Sequence, residues 1–386
     1  MTTFQFHRKN LAMFYWEGLQ RQTIRSFRSG LFLTAPRRTG KSTFLRSDFI
    51  PYVTDHGGLP IIVDLWEDPS LEMVFLLQKS LTKELERHSS FFAKAAKKTG
   101  LSKFKVASKN LSAEFVPGAQ LSVAESLTDL ILRLHEAAKK PIVLIIDEAQ
   151  HALRTESGKN GMFALKAARD ALNLGQPEPG LLLVFTGSNR DKLAELVTRK
   201  SHPFYGSEIE KFPLLDHHFV QAYADYLKGT LGTLPFDLPV LAETFDLLGK
   251  KPDTFFQTVQ EAVEAKISDK NGALRLLAEK KVKDAVQKIH ERVESLPETQ
   301  RLVLETLLAS KDNFSPFSAD TLKTYGVRKN GKKMTIPVIQ KALDALREKG
   351  FLWRSSYGDY ALEDDALLDW HKTLTQVSYS QKNNEA

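Results

Sequence analysis

The sequence of 386 residues predicts an α/β fold. Short apolar runs alternate with amphipathic segments from residue 31 to about residue 200, which is typical of a parallel sheet with helices on both faces. After residue 212 the apolar residues keep a helical period without strands. We expect a phosphate-loop (P-loop) parallel-sheet core over 1–212, a helical lid over 213–292, a winged helix-turn-helix over 293–376 and a flexible tail over 377–386.

The expected strands are contiguous apolar runs, which indicates that both of their faces are buried. They span 31–34, 59–66, 142–146 and 181–189. Helices are expected where apolar residues recur at helical spacing. These helices fall within 5–29 and over 43–52, 71–88, 121–138 and 163–174.

The C-terminal segment predicts three helices and a hairpin. The helices are expected at 297–310, after residue 318, and at 336–349, with a basic loop over 328–333. The segment 350–362 predicts two short strands joined by a turn at 357–359. This order is typical of a winged helix-turn-helix.

A lysine-rich segment interrupts the alternation between residues 89 and 120. Its lysines are Lys94, Lys97, Lys98, Lys103, Lys105 and Lys109, with no acidic residue among them. An inserted loop or hairpin that contacts nucleic acid phosphates would explain the run. A solvated face explains it too, and we favour that interpretation.

The composition excludes several kinds of site. There is no cysteine, which excludes disulfides, thiolate metal sites and cysteine nucleophiles and fits a reducing compartment. The net charge of +7 is modest and matters only where it clusters. The apolar runs are far shorter than the roughly 20 residues of a membrane span, and no signal peptide is recognised. We expect a cytoplasmic protein without membrane contact.

A turn-prone stretch after the first strand predicts a phosphate-binding loop. It reads Ala35-Pro36-Arg37-Arg38-Thr39-Gly40-Lys41-Ser42-Thr43. Such a loop supplies backbone N–H groups and a helix N-terminus, while Lys41 reaches the β- and γ-phosphates and Ser42 binds Mg²⁺. Ala35 replaces the usual glycine, and a positive φ there would disfavour it. The segment 5–29 either covers the adenine or packs on the sheet edge.

Two acidic residues follow the apolar strand 142–146. Asp147 is expected to hold Mg²⁺, and Glu148 to orient and deprotonate the attacking water. Adjacent carboxylates beside a buried strand are costly unless a cation or hydrogen bonds meet them. Asp64, at the end of the second strand, is a weaker candidate for a polar residue of this site, and a loop or capping role is favoured for it. His151, His217 and His218 have no third ligand at metal spacing in the sequence.

These motifs carry a family resemblance. The stretch 35–42 resembles the Gly-Pro-Arg-Arg-x-Gly-Lys-Ser/Thr loop of the archaeal-ATPase-like, STAND-related branch of the AAA+ superfamily. Residues 145–150 resemble its Walker B motif, and the terminal winged helix also matches. The resemblance implies an ATPase that binds ATP and Mg²⁺, with a helical lid after the core.

The resemblance also implies further site residues. The strand 183–189 is similar to sensor 1, and both Ser188 and Asn189 match its polar end; Asn189 is taken as catalytic and Ser188 as a nucleotide contact. The stretch 248–253 is similar to sensor 2, which implies that Lys250 or Lys251 has the sensor 2 role. We take Lys251 as the nucleotide contact. No arginine finger is identified: Arg190 and Arg199 lie near the expected place, but surface ion pairs explain them equally well.

The winged helix has two candidate partners, DNA and protein. Basic residues without an intervening acid occupy 321–343, and Arg354 lies on the wing. They are Lys323, Arg328, Lys329, Lys332, Lys333 and Lys341. DNA contact is slightly favoured, although winged helices of this branch also bind proteins.

Two functions remain candidates for this sequence. The first is an ATPase that couples ATP or ADP binding to DNA or partner binding, as a possible homo-oligomer. The second is a slow nucleotide-gated switch or scaffold that recruits a separate protein effector without binding DNA. A phosphotransferase is less favoured, because a helical lid and a winged helix suggest no acceptor pocket.

Overall fold

A five-stranded parallel sheet forms the centre of the N-terminal part of the molecule. The computed structural model describes residues 4–21, 26–36, 38–67, 71–98, 127–188, 190–310, 315–328, 334–356, 359–362, 367 and 370–371. The strands are β1 Leu31–Thr34, β2 Leu59–Asp64, β3 Ile142–Asp147, β4 Leu181–Gly187 and β5 Ile209–Lys211, in the order β2-β3-β4-β1-β5. Because all are parallel, their carboxyl ends meet at one edge, where ligands of such sheets bind.

Helices cover both faces of this sheet. They are α1 Lys9–Gln20, α2 Lys41–Phe44, α3 Ile50–Asp55, α4 Met73–Lys98, α5 Leu127–Ala138, α6 Glu156–Asn173 and α7 Arg190–Thr198. A π-helical turn, Leu45–Phe49, joins α2 to α3, and a 3₁₀ turn, Ala149–Arg154, follows β3.

Alternate strand residues pack on opposite faces of the sheet. Leu144 and Leu183 join the cluster that contains α4, α5 and α6, whereas Val143 and Leu182 join the cluster that contains α1 and the helix after β1. Successive side chains of a strand point in opposite directions, so a strand covered on both sides must be apolar throughout. This explains why the strands read as uninterrupted apolar runs.

Four helices follow the sheet and share an aromatic core. They are α8 His217–Leu231, α9 Leu238–Leu247, α10 Pro252–Glu264 and α11 Lys270–Glu294. Phe219, Phe245 and Phe255 are buried at their centre. Phe4, from the start of the chain, packs edge-on against Phe219 with ring centroids 5.9 Å apart. The N-terminal residues are thereby attached to this helical region.

The last elements form a unit of three helices and a hairpin, which we call the C-terminal unit. It contains α12 Glu298–Ser310, α13 Ala319–Arg328, α14 Ile336–Glu348 and the antiparallel strands β6 Leu352–Ser356 and β7 Asp359–Leu362. Trp370, Tyr325 and Leu343 are buried in its core. The predicted order of parallel sheet, helical region and three helices with a hairpin is confirmed.

Several element bounds differ from the expectation. The helix expected to end near residue 88 continues to Lys98, so Lys94, Lys97 and Lys98 belong to α4 rather than to an inserted loop; the later lysines lie outside the described residues. The first helix covers only Lys9–Gln20 of the expected segment, and β5 and α7 were not predicted. Among the described residues no helix combines the length and apolarity needed to cross a membrane.

Candidate active site

The loop after β1 turns by means of two residues in the left-handed region. Arg38 has a φ of 66° and Gly40 a φ of 86°, and Gly40 is the N-cap of α2. The Thr39 hydroxyl donates to the Pro36 carbonyl oxygen at 2.8 Å, which closes the turn. Glycine adopts such a φ without steric cost, so the Gly40 position explains the Gly-Lys-Ser sequence.

Ala35 fits the loop without backbone strain. It is buried, its N–H donates to the Gly187 carbonyl oxygen at 3.4 Å, and it is not among the described residues with positive φ. The left-handed turn comes later in the loop, so an alanine is tolerated where the usual pattern has a glycine. Arg37 lies outside the described residues.

Lys41 and Asp147 form a buried ion pair at the carboxyl edge of the sheet. The ammonium donates to Asp147 Oδ1 and to the Thr186 hydroxyl, the latter at 2.7 Å, and the Thr186 hydroxyl donates to the same carboxylate oxygen. All three side chains are buried. Burial opposes ionisation of Asp147, but the Lys41 charge and hydrogen bonds from Lys41, Thr186 and the Glu148 N–H together hold its pKa below the ordinary value.

Ser42 and Asp147 provide the oxygen atoms of a possible magnesium site. The Ser42 hydroxyl donates to Asp147 Oδ2 at 3.2 Å, from the exposed side of the carboxylate. Mg²⁺ in phosphate sites is held by one or two protein oxygens in addition to phosphate and water oxygens. An ionised carboxylate beside a hydroxyl fits that donor set, so the residues present suit the ion that the sequence predicted.

Glu148 lies beside this pair in an uncommon backbone conformation. Its φ is 54° and its ψ is 40°, the left-handed region that non-glycine residues seldom adopt. Its Oε2 accepts hydrogen bonds from Gln150 Nε2 at 2.5 Å and from the Ser188 hydroxyl at 3.0 Å. The structure therefore brings together Lys41, Ser42, Asp147, Glu148 and Ser188, as the sequence predicted.

A cavity of about 510 Å³ opens in front of these residues. Pro36 and Arg38 to Phe44 line one side, with Asp48, Asp64, Trp66, Asp147, Glu148 and Ser188. A second set of lining residues comes from the N-terminal segment and from the region of α8 and α10: Phe4, Gln5, Phe6, Arg8, Leu215, Phe219, Pro252, Asp253 and Phe256. Most charged side chains belong to the first set and most aromatic ones to the second, and we call these parts of the cavity its charged end and its aromatic end; the volume is in the range of ligand pockets.

The N-terminal segment contributes to the cavity in two ways. Phe4, Gln5, Phe6 and Arg8 line the cavity, whereas α1 packs Tyr15 and Leu19 into the core beside β1. His7 Nδ1 lies 2.7 Å from Asp48 Oδ1, and Arg8 donates to the Pro213 carbonyl oxygen at 2.8 Å. The helix α1 thus packs on a face of the sheet rather than at its edge, and contact of the preceding residues with adenine stays a prediction.

Other predicted site residues lie away from the cavity or outside the described part of the chain. Lys251 is the N-cap of α10 and is not among the cavity-lining residues, where Pro252 and Asp253 stand instead; Lys250 pairs with Asp246 at 3.5 Å. Asn189 is outside the described residues. Arg199 pairs with Glu195 at 3.0 Å, as the surface interpretation expected.

The sequence reasoning missed two residues and one possible ligand. Thr186 and Gln150 contact the acidic pair; they lie within the stretches 183–189 and 145–150, but the motifs gave neither of them a role. The sequence showed no third metal ligand beside His217 and His218, but the structure places Asp216 there. The possible ligand atoms of the three side chains lie within 4.8 Å of one another. All three are exposed, and Asp216 already caps α8 by accepting from the His218 N–H.

Comparison with known proteins finds similarity at the level of structure. No protein-family model and no curated protein matches the chain. The Walker-type ATPase PABY2304 of Pyrococcus abyssi matches with a TM-score of 0.55 and 17% identity over 95% of this chain and 96% of that one. The ADP form of the Aeropyrum pernix ORC2 protein matches with a TM-score of 0.55 and 13% identity over 96% and 93%.

A second structure of the Aeropyrum pernix ORC2 protein, with ADPNP and ADP, matches with a TM-score of 0.50 and 12% identity over 96% of this chain and 93% of that one. At such identities the similarity shows the fold. The chain therefore has the fold of these proteins, one of which is a Walker-type ATPase, and the resemblance drawn from the sequence is confirmed at the level of the fold.

Proposed function

We propose that this protein is an ATPase that binds Mg-ATP in the cavity and uses its nucleotide state to control what the C-terminal unit binds. The observation that carries the proposal is the convergence of Lys41, Ser42 and Asp147 at the charged end of the cavity. The similar structures support it, since the ORC2 protein of Aeropyrum pernix is described with ADP and ADPNP.

Lys41 and the loop backbone account for triphosphate binding. The Lys41 ammonium is buried and already desolvated, so its attraction to a phosphate oxygen is stronger than that of a surface lysine. The N-terminus of α2 adds backbone N–H groups that favour an anion. At the other end, Phe6 and Phe256 offer apolar surface to the base.

Ser42 and Asp147 would hold the magnesium ion, which when bound neutralises charge on the phosphate oxygens. Asp147 is suited to that role because its pKa is held low, so the carboxylate stays ionised. Glu148 is suited to accept the proton of the attacking water, since no described hydrogen bond engages its Oε1.

Nucleotide turnover by three variants tests the enzymatic part. We expect Lys41→Ala to weaken ATP binding and Glu148→Gln to bind ATP but to turn it over at least about 100-fold more slowly than wild type, since a general base contributes roughly 10²–10⁴. Lys228→Ala, an exposed lysine on α8, is the matched control. Equal turnover by wild type and the Glu148 variant would show that Glu148 is not the base.

A protein effector is favoured as the partner by the surface of α14. The N-terminal residues of this helix expose apolar side chains, Ile336 at 54% and Val338 at 43%. Its exposed charged residues are Lys341 and Glu348, with Lys349 exposed at the C-cap, so the solvent side carries little net charge. A helix that reads DNA presents a net positive surface to the phosphates. The slow-switch hypothesis is therefore retained as a second candidate.

DNA binding and mass in solution distinguish the candidates. Under the effector hypothesis, anisotropy of labelled duplex DNA shows no salt-dependent binding, and reversing Lys323 and Lys341 to glutamate changes nothing. Binding that weakens steeply with salt and is lost in that variant supports the DNA hypothesis. We also measure ATP turnover against protein concentration, because a neighbouring subunit that completes the site raises turnover as the oligomer forms.

A further inference from the structure

We infer that Gln150 is a positioning residue that holds the Glu148 carboxylate for hydrolysis, and that residue 187 is a glycine because Gln150 occupies the space of its side chain. No motif assigns a role to Gln150. The inference rests on the proposed function in one respect, namely that Glu148 acts as the base.

The first observation is the hydrogen bond between the two side chains. Gln150 Nε2 donates to Glu148 Oε2 at 2.5 Å, and Ser188 donates to the same oxygen at 3.0 Å. Charge-assisted hydrogen bonds of this kind are short and directional. Glu148 Oε2 is thereby held by two donors on different elements, the 3₁₀ turn after β3 and the end of β4.

The orientation of the Gln150 amide follows from its neighbours. An ionised carboxylate only accepts hydrogen bonds, so the NH₂ group of the amide must face Glu148. The other amide atom, Oε1, is buried and has no hydrogen-bond partner among the described residues. Gln150 as a whole is 5% exposed. The amide is thus oriented by its hydrogen bond to Glu148 and not by any partner of its oxygen among the described residues.

Gly187 makes this arrangement possible. A Cβ at position 187 would lie 2.4 Å from Gln150 Oε1 and 3.3 Å from Gln150 Cδ. The φ of Gly187 is not positive, so the backbone itself accepts any residue. A side chain at position 187 would therefore displace the end of the Gln150 side chain, and glycine leaves that side chain in place.

The backbone of Glu148 agrees with a held side chain. Its left-handed conformation is uncommon for a residue with a side chain and persists only where the surroundings determine it. The Glu148 N–H donates to Asp147 Oδ1 at 3.0 Å, and the side chain is held at its other end by Gln150 and Ser188. The carboxylate is therefore fixed beside the expected magnesium ligand.

The kinetic test uses Gln150→Leu, which keeps the volume and removes the donor. We expect its single-turnover rate to fall at least about tenfold, because misplacement of a catalytic group by about 1 Å can cost 10²-fold. Its affinity for an ATP analogue should stay within about twofold of wild type. Gln287→Leu is the matched control, since Gln287 also donates to a glutamate, Glu291, at 3.1 Å on an exposed helix face.

A double-mutant cycle separates positioning from stability. If Gln150 acts through Glu148, adding Gln150→Leu to Glu148→Gln causes no further fall in rate. Two results overturn the inference. One is a further tenfold fall when Gln150→Leu is added to Glu148→Gln. The other is no fall when Gln150→Leu is made alone in the wild-type protein.

A readout independent of hydrolysis is the position of the carboxylate. In crystal structures without nucleotide, we expect Glu148 to contact Gln150 in wild type and to move by more than about 1 Å in Gln150→Leu and in Gly187→Ala. Gly187→Ala should also lower the melting temperature, and Gln150→Ala combined with it should remove that loss. An unmoved carboxylate overturns the inference even if wild type hydrolyses ATP, whereas absent hydrolysis with the expected movement overturns only the catalytic part of the proposed function.

Discussion

Asp147 is the residue on which the contacts of the candidate site converge. Lys41, Thr186 and the Glu148 N–H all donate to Oδ1, and Ser42 donates to Oδ2. A carboxylate this deeply buried would otherwise resist ionisation. Its partners reverse that tendency and hold its pKa below the ordinary value of 3.8. The same carboxylate therefore stabilises the protein without nucleotide and is available to a metal ion.

The pH dependence of stability follows from this shift. Because the folded pKa of Asp147 lies below the ordinary value of 3.8, its contribution is complete above about pH 4 and is lost as the pH falls through the folded pKa. We expect Asp147→Asn to unfold with a free energy lower by about 3 kcal/mol above pH 4, since Lys41 loses its buried partner. That difference should shrink below pH 4 in urea titrations.

The control for this prediction is Asp225→Asn. Within the described part of the chain, Asp225 accepts one exposed hydrogen bond, from Gln221 at 3.1 Å, so its substitution should change the free energy of unfolding by less than about 0.5 kcal/mol at every pH. A difference between wild type and Asp147→Asn that grows as the pH falls would contradict the assignment of the low pKa.

At the residue scale the sequence predicted the motif residues and missed their partners. Lys41, Ser42 and Asp147 stand in recognisable local patterns, an apolar strand followed by a turn or by acidic residues. Thr186 reaches the site only because β4 lies between β1 and β3 in the sheet, whereas Gln150 is two residues from Glu148 and contacts it through the left-handed turn at Glu148. Strand order depends on long-range packing, which no local pattern contains.

At the scale of elements, α7 links the candidate site to the C-terminal unit. It begins directly after Ser188 and Asn189, and β6 packs against it. Arg347 of α14 donates to Glu195 of α7 at 3.3 Å and to Asp344 at 3.4 Å. With only 15% of the Arg347 side chain and 25% of the Glu195 side chain exposed, this ion pair is screened less than a surface pair.

A double-mutant cycle measures this link. We expect Arg347→Ala and Glu195→Gln to couple by about 1 kcal/mol in the free energy of unfolding, because the pair is partly buried and shared with Arg199. The matched pair is Arg275 and Glu243, at the same 3.3 Å but more than half exposed, where we expect a coupling nearer zero. Equal coupling in both pairs would show that the contact between α7 and α14 adds nothing specific.

Most elements of the sheet were predictable, and their ends were less so. The strands β1 to β4 are long enough to show an apolar run, whereas β5 is a three-residue edge strand whose Glu210 and Lys211 give no such signal. The helix α4 continues through a lysine-rich stretch, because lysine is a good helix former and charge alone does not end a helix.

At the scale of the whole molecule, the cavity lies where three parts of the chain meet. It is lined by the phosphate loop and strand ends, by the N-terminal segment, and by residues of the helices α8 and α10. Phe4 and Phe6 pack with Phe219, while His7 contacts Asp48 in the core. A ligand in the cavity would therefore contact the sheet core and the helical region at once.

Nucleotide should accordingly raise the stability of the whole chain. At 100 times its dissociation constant, Mg-ATP is expected to add about 2.7 kcal/mol to the free energy of unfolding of wild type. The combined variant Phe4→Ala and Phe6→Ala should gain clearly less at the same concentration, because the apolar end of the cavity is reduced. Thermal unfolding with and without nucleotide measures both, and Phe163→Ala, an exposed phenylalanine of α6, is the control.

A full gain in the variant without Phe4 and Phe6 would mean that the N-terminal segment does not contact the ligand. The unliganded variant is compared with unliganded wild type first, since the loss of two aromatic contacts also lowers the stability of the helical region.

The sequence by itself determined the parallel sheet, the phosphate loop and the pair Asp147 and Glu148, because burial on both faces and a glycine-lysine-serine turn leave local patterns along the chain. The tertiary structure alone decided what these residues contact. It showed that Ala35 bears no strain, that Gln150 and Ser188 hold Glu148, and that Lys251 is not among the residues that line the cavity. The contact of Ser188 and the lining of the cavity depend on which distant segments pack together, while the geometry of Ala35 and Gln150 depends on local backbone conformations that the residue pattern does not specify.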